Sequence, residues 1–297
     1  MIISASVRTD IPAFYAHWFL RRLRAGWCEA VNPYNRQARR VSLRPPDVDG
    51  YVFWTKNLKP FREALRAVDE AGVPFVVQYT INDYPRLVEP SVPPAARTVA
   101  DALWLSRTFG PARLVWRYDP IVFMSARDGP DHVRRFAALA RALAGATDEV
   151  VVSVVHLYAK SHRRLEALRR RHAGFAYRVP AADEARTLLG ELAAVARGYG
   201  MALRVCAQPD LLPPGAAPAR CIDADRLARV AGRPVAAPPG GTRPACRCAQ
   251  AVDIGWYDTC PHGCVYCYAV GDARRAKASF RRHDPERASL VPPDDPP

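Results

Sequence analysis

Two hydrophobic rhythms alternate along the chain. Short runs that are apolar at nearly every position, rich in β-branched and aromatic residues, occupy 2–6, 51–54, 75–80, 114–118, 149–157 and 202–206. Runs of that length and composition suit strands buried on both faces of a parallel sheet. Between them, apolar positions recur every three to four residues and predict helices over 12–24, 58–71, 95–109, 131–144, 162–171 and 182–199. Pro12 falls in the first turn of the first helix, and Gly72 follows the second. Residues 27–43 predict an inserted hairpin that turns at Asn32-Pro33-Tyr34-Asn35.

Six strand-then-helix units predict an α/β fold, a partial or complete TIM-type β/α barrel, with reacting groups at the C-terminal ends of the strands. From Asp210 the texture changes. Proline, glycine and alanine dominate 212–219 and 236–243, with a short helix predicted over 223–230. Such a segment buries little and suits pinning by metal. The organisation expected is therefore a barrel over 1–209, a Cys-rich segment over 210–282 that completes it, and a disordered tail over 283–297 ending in Pro292-Pro293-Asp294-Asp295-Pro296-Pro297.

Composition narrows the setting. With 297 residues, 49% of them hydrophobic, the chain can bury one large barrel or two modest domains. No apolar run approaches the roughly 18 residues of a membrane span, and the first residues lack the pattern of a signal peptide. A cytoplasmic protein with no membrane partner is expected. The net charge of +14, mostly arginine, favours polyanions and makes nucleic acid a possible partner. The alternative is a GC-rich genome and solvated helix faces, as in Arg163-Arg164 and Arg169-Arg170-Arg171.

The eight cysteines are unevenly spread: Cys28 stands alone and the others crowd the last third. In a large chain without an export signal, this favours metal binding over crosslinking. Cys260, Cys264 and Cys267, spaced C-x3-C-x2-C, supply three thiolates to a [4Fe–4S] cluster and leave one iron open. Pro261 and Gly263 suit a loop turning closely round a bulky group. Tyr266 and Tyr268 flank Cys267 and can cover the cluster or stack on an adenine. A zinc site prefers four ligands, and His262 lies too close to its neighbouring cysteines to complete a tetrahedron easily. Cys206, Cys221, Cys246 and Cys248 form a second candidate set, for another [4Fe–4S] cluster or a zinc ion, with ordinary buried thiols as the alternative. Cys28, beside Trp27, reads as a packed side chain.

The stretch TCPHGCVYCYA at 259–269 resembles the signature of radical S-adenosylmethionine enzymes, particularly spore-photoproduct-lyase-like members. More closely, the chain resembles a bacterial domain-of-unknown-function family, number 1848, through SASVRTDIPAFY at 4–15, DGYVFWTKN at 49–57, VWRYDPI at 115–121 and DIGWYDTCPHGCVYCYA at 253–269. The radical-enzyme resemblance implies S-adenosylmethionine at the open iron, a 5′-deoxyadenosyl radical, and a reductant such as ferredoxin or flavodoxin. In that group the motif follows the first barrel strand, whereas here it follows the last unit. A strand over 251–255 and a helix over 273–282 would make a permuted barrel. No glycine-glycine-acid motif of the kind that holds the amino group of S-adenosylmethionine is evident.

Polar residues recur at the predicted strand ends. Arg8, Asp10, Lys56, Arg117, Asp119 and His156 are the catalytic candidates, and Thr55 and Gln78 join Tyr266 and Tyr268 as cofactor-binding candidates. Lys56 and the two arginines can hold a phosphate or carboxylate, and His156 can donate a proton. Arg8 with Asp10, and Arg117 with Asp119, can instead be structural ion pairs. Two other functions fit the same residues: a barrel hydrolase with structural clusters, and a nucleic-acid-binding, redox-sensing protein without turnover.

Overall fold

The computed structural model describes residues 1–125, 127–241 and 243–291. Its elements begin with β1 (Ile2–Ala5), α1 (Ile11–Phe14), α2 (Ala16–Ala25), the hairpin β2 (Trp27–Val31) and β3 (Ala38–Ser42), β4 (Gly50–Thr55) and α3 (Arg62–Glu70). Next come β5 (Phe75–Thr80), α4 (Ala95–Phe109), β6 (Leu114–Ile121), β7 (Phe123–Met124), α5 (Gly129–Ala142), β8 (Glu149–Val154) and α6 (Ala159–Arg171). The chain continues through β9 (Tyr177–Arg178), α7 (Ala182–Gly198), β10 (Ala202–Val205), β11 (Ala217–Pro218), α8 (Ala224–Ala231), β12 (Val252–Asp253) and α9 (Ala273–Arg282).

Eight strands form one sheet in the order β11-β10-β8-β6-β5-β4-β1-β12, and every pairing is parallel. The predicted strands and helices are therefore present, and the late strand β12 sits beside the first, with Ile3 opposite Val252 and Ser4 opposite Asp253. Barrel closure is not: among the described residues β11 and β12 remain the sheet's two edges. Each offers only two residues to a ladder, and Pro218 in β11 lacks an N–H to give.

The pleat decides which residues reach each face. Tyr51, Phe53, Phe75, Trp116 and Val152 point to the helical side, where they meet Trp18 and Phe19 of α2, Leu65 of α3, Phe136 of α5 and Leu192 of α7. Full burial of such side chains contributes roughly 1.5–3 kcal/mol each. Their neighbours Ile2, Val52, Val76, Val115 and Val151 point the other way. In a closed barrel facing strands would fill that space. Here the chain between β11 and β12 covers it with Ile222, Leu227, Val235, Cys248 and Ala249. Arg226 of α8 anchors this cover at the N-terminal end of the sheet, bonding Asp148 at 2.6 Å, Glu149 at 3.2 Å and the Ala112 carbonyl at 2.9 Å.

Two local departures matter for the site. The single helix expected over 12–24 is interrupted at Tyr15 (φ −126°, ψ 27°), whose hydroxyl donates to the Thr259 carbonyl at 2.6 Å. Residues 283–291, for which disorder is expected, lie against the body. Trp18 Nε1 donates to the Arg287 carbonyl at 3.0 Å, the Glu29 N–H donates to the Ala288 carbonyl at 2.9 Å, and Leu290 and Val291 are buried. Leu290 and Val291 supply the apolar surface that seats this stretch, and residues 292–297 of the expected tail lie outside the described residues.

Candidate functional site

Period-two alternation carries polar side chains into the inner face one pleat above the valine layer. Gln78 follows Val76, Arg117 follows Val115, and Ser153 follows Val151, each two residues on. Arg117 is 5% exposed and holds this layer together. Its guanidinium reaches Asp119 at 2.5 Å, Gln78 Oε1 at 3.2 Å and the Cys221 sulfur at 3.0 Å, and lies 5.0 Å over the Trp54 ring. Asp119 also accepts from Ser153. The expected Arg117–Asp119 pair is thus present, whereas Arg8 pairs with Asp253 at 3.7 Å and not with Asp10.

Asp10 has another task. It caps α1 by accepting from the Ala13 N–H at 2.9 Å, accepts from the Lys56 N–H at 2.8 Å, and meets His262 Nε2 at 2.9 Å. His262 Nδ1 faces the Ser91 carbonyl at 3.2 Å, and Phe14 packs edge-on against the ring at 4.6 Å. Both ring nitrogens are engaged away from the sulfurs, which removes His262 from the candidates for a fourth ligand.

The loop carrying Cys260, Cys264 and Cys267 is fixed from several sides. Gly263 adopts φ +75°, the left-handed conformation that glycine enters most cheaply. The Arg164 guanidinium of α6 gathers the carbonyls of Val265 (3.0 Å), Cys267, Val270 and Gly271 (3.4 Å). Asp253 accepts from Ser4 and Ser6 Oγ at 2.8 Å each, the Val7 N–H at 2.9 Å and the Gly255 N–H at 3.0 Å, locking the loop's entry to β1. The three thiols lie close enough for their charges to interact, and burial pushes Cys260 and Cys264 well up. An electropositive bound group would reverse that, because metal-bound thiols are deprotonated. The Cys267 sulfur accepts from the Ala269 N–H at 3.3 Å.

Beside Cys264 lies a buried polar cluster. Lys56 Nζ binds Glu89 at 2.8 Å, Tyr266 donates to the same carboxylate, and Asn82 Nδ2 lies 3.3 Å from the Tyr266 hydroxyl. Burial alone would lower the Lys56 ammonium, but Glu89 and Cys264 more than offset it and hold it above its ordinary value. Tyr266 is thus turned into the protein. Tyr268, 46% exposed, is the tyrosine left at the opening, 6.2 Å from the exposed Tyr158 ring. His156 is exposed and meets the Tyr158 ring edge-on at 4.7 Å, at the rim. Thr55 Oγ1 accepts from the Asn57 N–H at 2.9 Å, and Gln78 donates to the Cys221 carbonyl at 2.8 Å. Asn82 and Glu89 also line a cavity of 260 Å³ with Tyr84, Pro94 and Thr98.

The second set of cysteines also converges. Cys206 follows β10, Cys221 follows β11, and their sulfurs are 3.6 Å apart. The Cys248 sulfur accepts from the Ile222 N–H at 3.4 Å. The contact with Cys206 would lower the Cys221 thiol, but Cys248 and burial push it up to about 12. Among the described residues, no three His, Cys, Asp or Glu side chains are arranged to hold a single metal ion. Cys28 is fully buried in the hydrophobic core, as expected.

Glu89, Asn82, Asp253, Arg164 and Arg243 were not among the sequence candidates. Asp253 lies in the predicted strand over 251–255, where an acidic residue among apolar ones marks a polar partner. Glu89 sits in a proline-rich loop with no periodicity to mark it.

Fold and site together define an α/β protein with an open parallel sheet and two separate groups of thiols at the loops that follow its strands. The chain belongs to the family described as Domain of unknown function (DUF1848), whose model matches residues 2–269. No curated protein and no solved structure matches it. No helix among the described residues is long and apolar enough to cross a membrane.

Proposed function

We propose that the protein is an iron–sulfur enzyme of the radical S-adenosylmethionine type, with Cys260, Cys264 and Cys267 holding a four-iron cluster. The observation that carries this reading is a loop with three buried or half-buried thiols, a left-handed Gly263 and a histidine turned away from the sulfurs. Three thiolates with His262 turned away suit a cluster with one open iron better than a closed zinc site. When bound, such a cluster supplies an electron that cleaves S-adenosylmethionine to methionine and a 5′-deoxyadenosyl radical.

The chain's own residues prepare the surroundings. Arg164 and Asp253 hold the loop's backbone, and Asp10 keeps His262 off the sulfurs. Lys56 places a positive charge near Cys264, offsetting the negative charge of a thiolate-ligated group. Tyr158, Tyr268 and His156 form an exposed aromatic rim, with Lys160 5.7 Å from the Tyr257 ring and Arg8 5.5 Å from it. Rings among cations suit an anionic, aromatic substrate such as a nucleic-acid base with its phosphate.

The test is anaerobic reconstitution of the full chain with iron and sulfide, then dithionite and S-adenosylmethionine. Formation of 5′-deoxyadenosine, abolished in Cys264→Ala, is expected. A fully reconstituted protein that yields none overturns the reading.

A further inference from the structure

We infer that the surface running from the tip of the β2–β3 hairpin to the opening above the thiol loop is a track for a single-stranded nucleic acid, with exposed tyrosines stacking its bases and arginine and lysine holding its phosphates. Calling that strand the substrate rests on the radical reading; its binding does not.

The hairpin presents a ring to solvent. Asn32 Oδ1 accepts from the Tyr34 N–H at 2.9 Å, and Asn35 Oδ1 accepts from the Gln37 N–H at 3.1 Å. The Asn32 N–H donates to the Gln37 carbonyl at 2.9 Å, closing the turn. Tyr34 stands on this turn 90% exposed, so its ring contributes almost no burial to the fold. Tyr34, Tyr268 and Tyr158 are three of the six large hydrophobic side chains exposed among the described residues. Each combines an apolar face with a polar tip, which suits a half-wet contact.

A series of contacts leads from that tip to the opening. Arg36 lies 5.1 Å over the Trp256 ring. The next residue, Tyr257, has Arg8 at 5.5 Å and Lys160 at 5.7 Å from its ring. Lys160 is two residues beyond Tyr158, whose ring is 6.2 Å from Tyr268. The Tyr268 hydroxyl donates to the Val7 carbonyl at 2.5 Å, which returns the series to Arg8.

Carboxylates are scarce along the way. Residues 32–46 hold four arginines and no Asp or Glu. Helix α6, whose Arg164 grips the thiol loop, carries six cations against Glu166 alone. Helix α9, which begins two residues after Gly271, carries five cations and no carboxylate. Glu166 is paired with Arg169 at 2.9 Å, Asp253 with Arg8 at 3.7 Å, and Asp258 accepts from the Gly271 N–H at 2.5 Å. Such an excess attracts any polyanion. The exposed rings narrow the choice, because every base has a π-face and stacks on an aromatic side chain. A duplex keeps its bases stacked on one another, so an unpaired strand is the form that can lay them on tyrosine.

The experiment is fluorescence anisotropy of the full chain with labelled oligothymidylate and oligouridylate of about 15 nucleotides. Binding is expected to weaken as salt rises, with a log–log slope of about 3 if four phosphates are neutralised. Tyr34→Ala should weaken it about tenfold and Tyr34→Phe should not, since the ring and not the hydroxyl stacks. Lys160→Gln should lower the salt slope by about 0.7. Tyr34 is too exposed for its loss to disturb the fold. Equal or tighter binding of a duplex of the same length overturns the inference. So does an unchanged affinity in Tyr34→Ala, or tighter binding to phosphatidylglycerol vesicles than to either strand. A chain that cleaves S-adenosylmethionine but binds neither strand refutes the track alone. A chain that binds a strand but forms no 5′-deoxyadenosine refutes the radical reading and leaves the track standing.

Discussion

Replacing Asp10 distinguishes a carboxylate that holds the cysteine loop from one that acts on substrate. Asp10 is 6% exposed, so water cannot substitute for it. Asp10→Ala strands the N–H groups of Ala13 and Lys56 and frees His262 Nε2. A lost cap costs about 1 kcal/mol, and each further buried group left without its partner about 1–3 kcal/mol. The total expected is about 3–7 kcal/mol. Asp10→Asn should fall between, because an amide has one oxygen and must orphan either the cap or the Lys56 and His262 side. Urea unfolding should therefore rank wild type above Asp10→Asn above Asp10→Ala. Retained iron after reconstitution should fall in the same order as the loop loosens. If Asp10→Ala unfolds within about 0.5 kcal/mol of wild type, holds full iron and yet loses turnover, Asp10 contacts substrate and the positioning argument is wrong.

Other outcomes follow from single contacts. Burial lowers His132 to about 4; its Nδ1 accepts from the Tyr118 hydroxyl at 2.8 Å while Nε2 donates to the Val122 carbonyl at 3.2 Å. Because the folded value lies below the unfolded 6.5, this stability is complete above pH 6.5 and is lost as pH falls toward 4. Between pH 7 and pH 5 the loss should be about 2 kcal/mol, and in His132→Asn, compared by urea unfolding, that increment should vanish. Gly255→Ala places a Cβ 2.1 Å from Ser6 Oγ and should cost about 1–3 kcal/mol by separating β12 from β1. Gly263→Ala meets nothing closer than Pro90 Cγ at 3.7 Å and should cost only its left-handed backbone, about 1–2 kcal/mol. The clash at Gly255 makes it the costlier of the two, and a larger melting shift for Gly263→Ala than for Gly255→Ala would refute this ordering. Arg164→Met should speed iron release to a chelator several-fold, since four loop carbonyls lose their donor; an unchanged release rate would count against the clamp.

The strands and helices were legible because burial imposes its period on sequence. Six of the sheet's eight strands are marked by apolar runs, and the edge strands β11 and β12 are not, because two residues cannot show a period. Closure was not legible, since which strands pair at the edges depends on what covers the inner face, and that cover is an irregular, proline-rich segment. Among the site residues, Gln78 and Arg117 were nominated by their place at the predicted strand ends, and the pleat turns both to the inner face. Strand position could not say that Asp10 would clasp His262, a partner 252 positions away. Nor could it find Glu89, which a loop carries to Lys56. Tyr266 and Tyr268 read alike in sequence, yet one is sealed against Glu89 and the other stands at the opening.

The most direct measurement is electron paramagnetic resonance of the dithionite-reduced full chain in which Cys206, Cys221, Cys246 and Cys248 are all replaced by alanine, with and without S-adenosylmethionine. The account predicts a single reduced four-iron signal, assigned to Cys260, Cys264 and Cys267, that shifts when S-adenosylmethionine binds the open iron. A signal that S-adenosylmethionine leaves unmoved would contradict it.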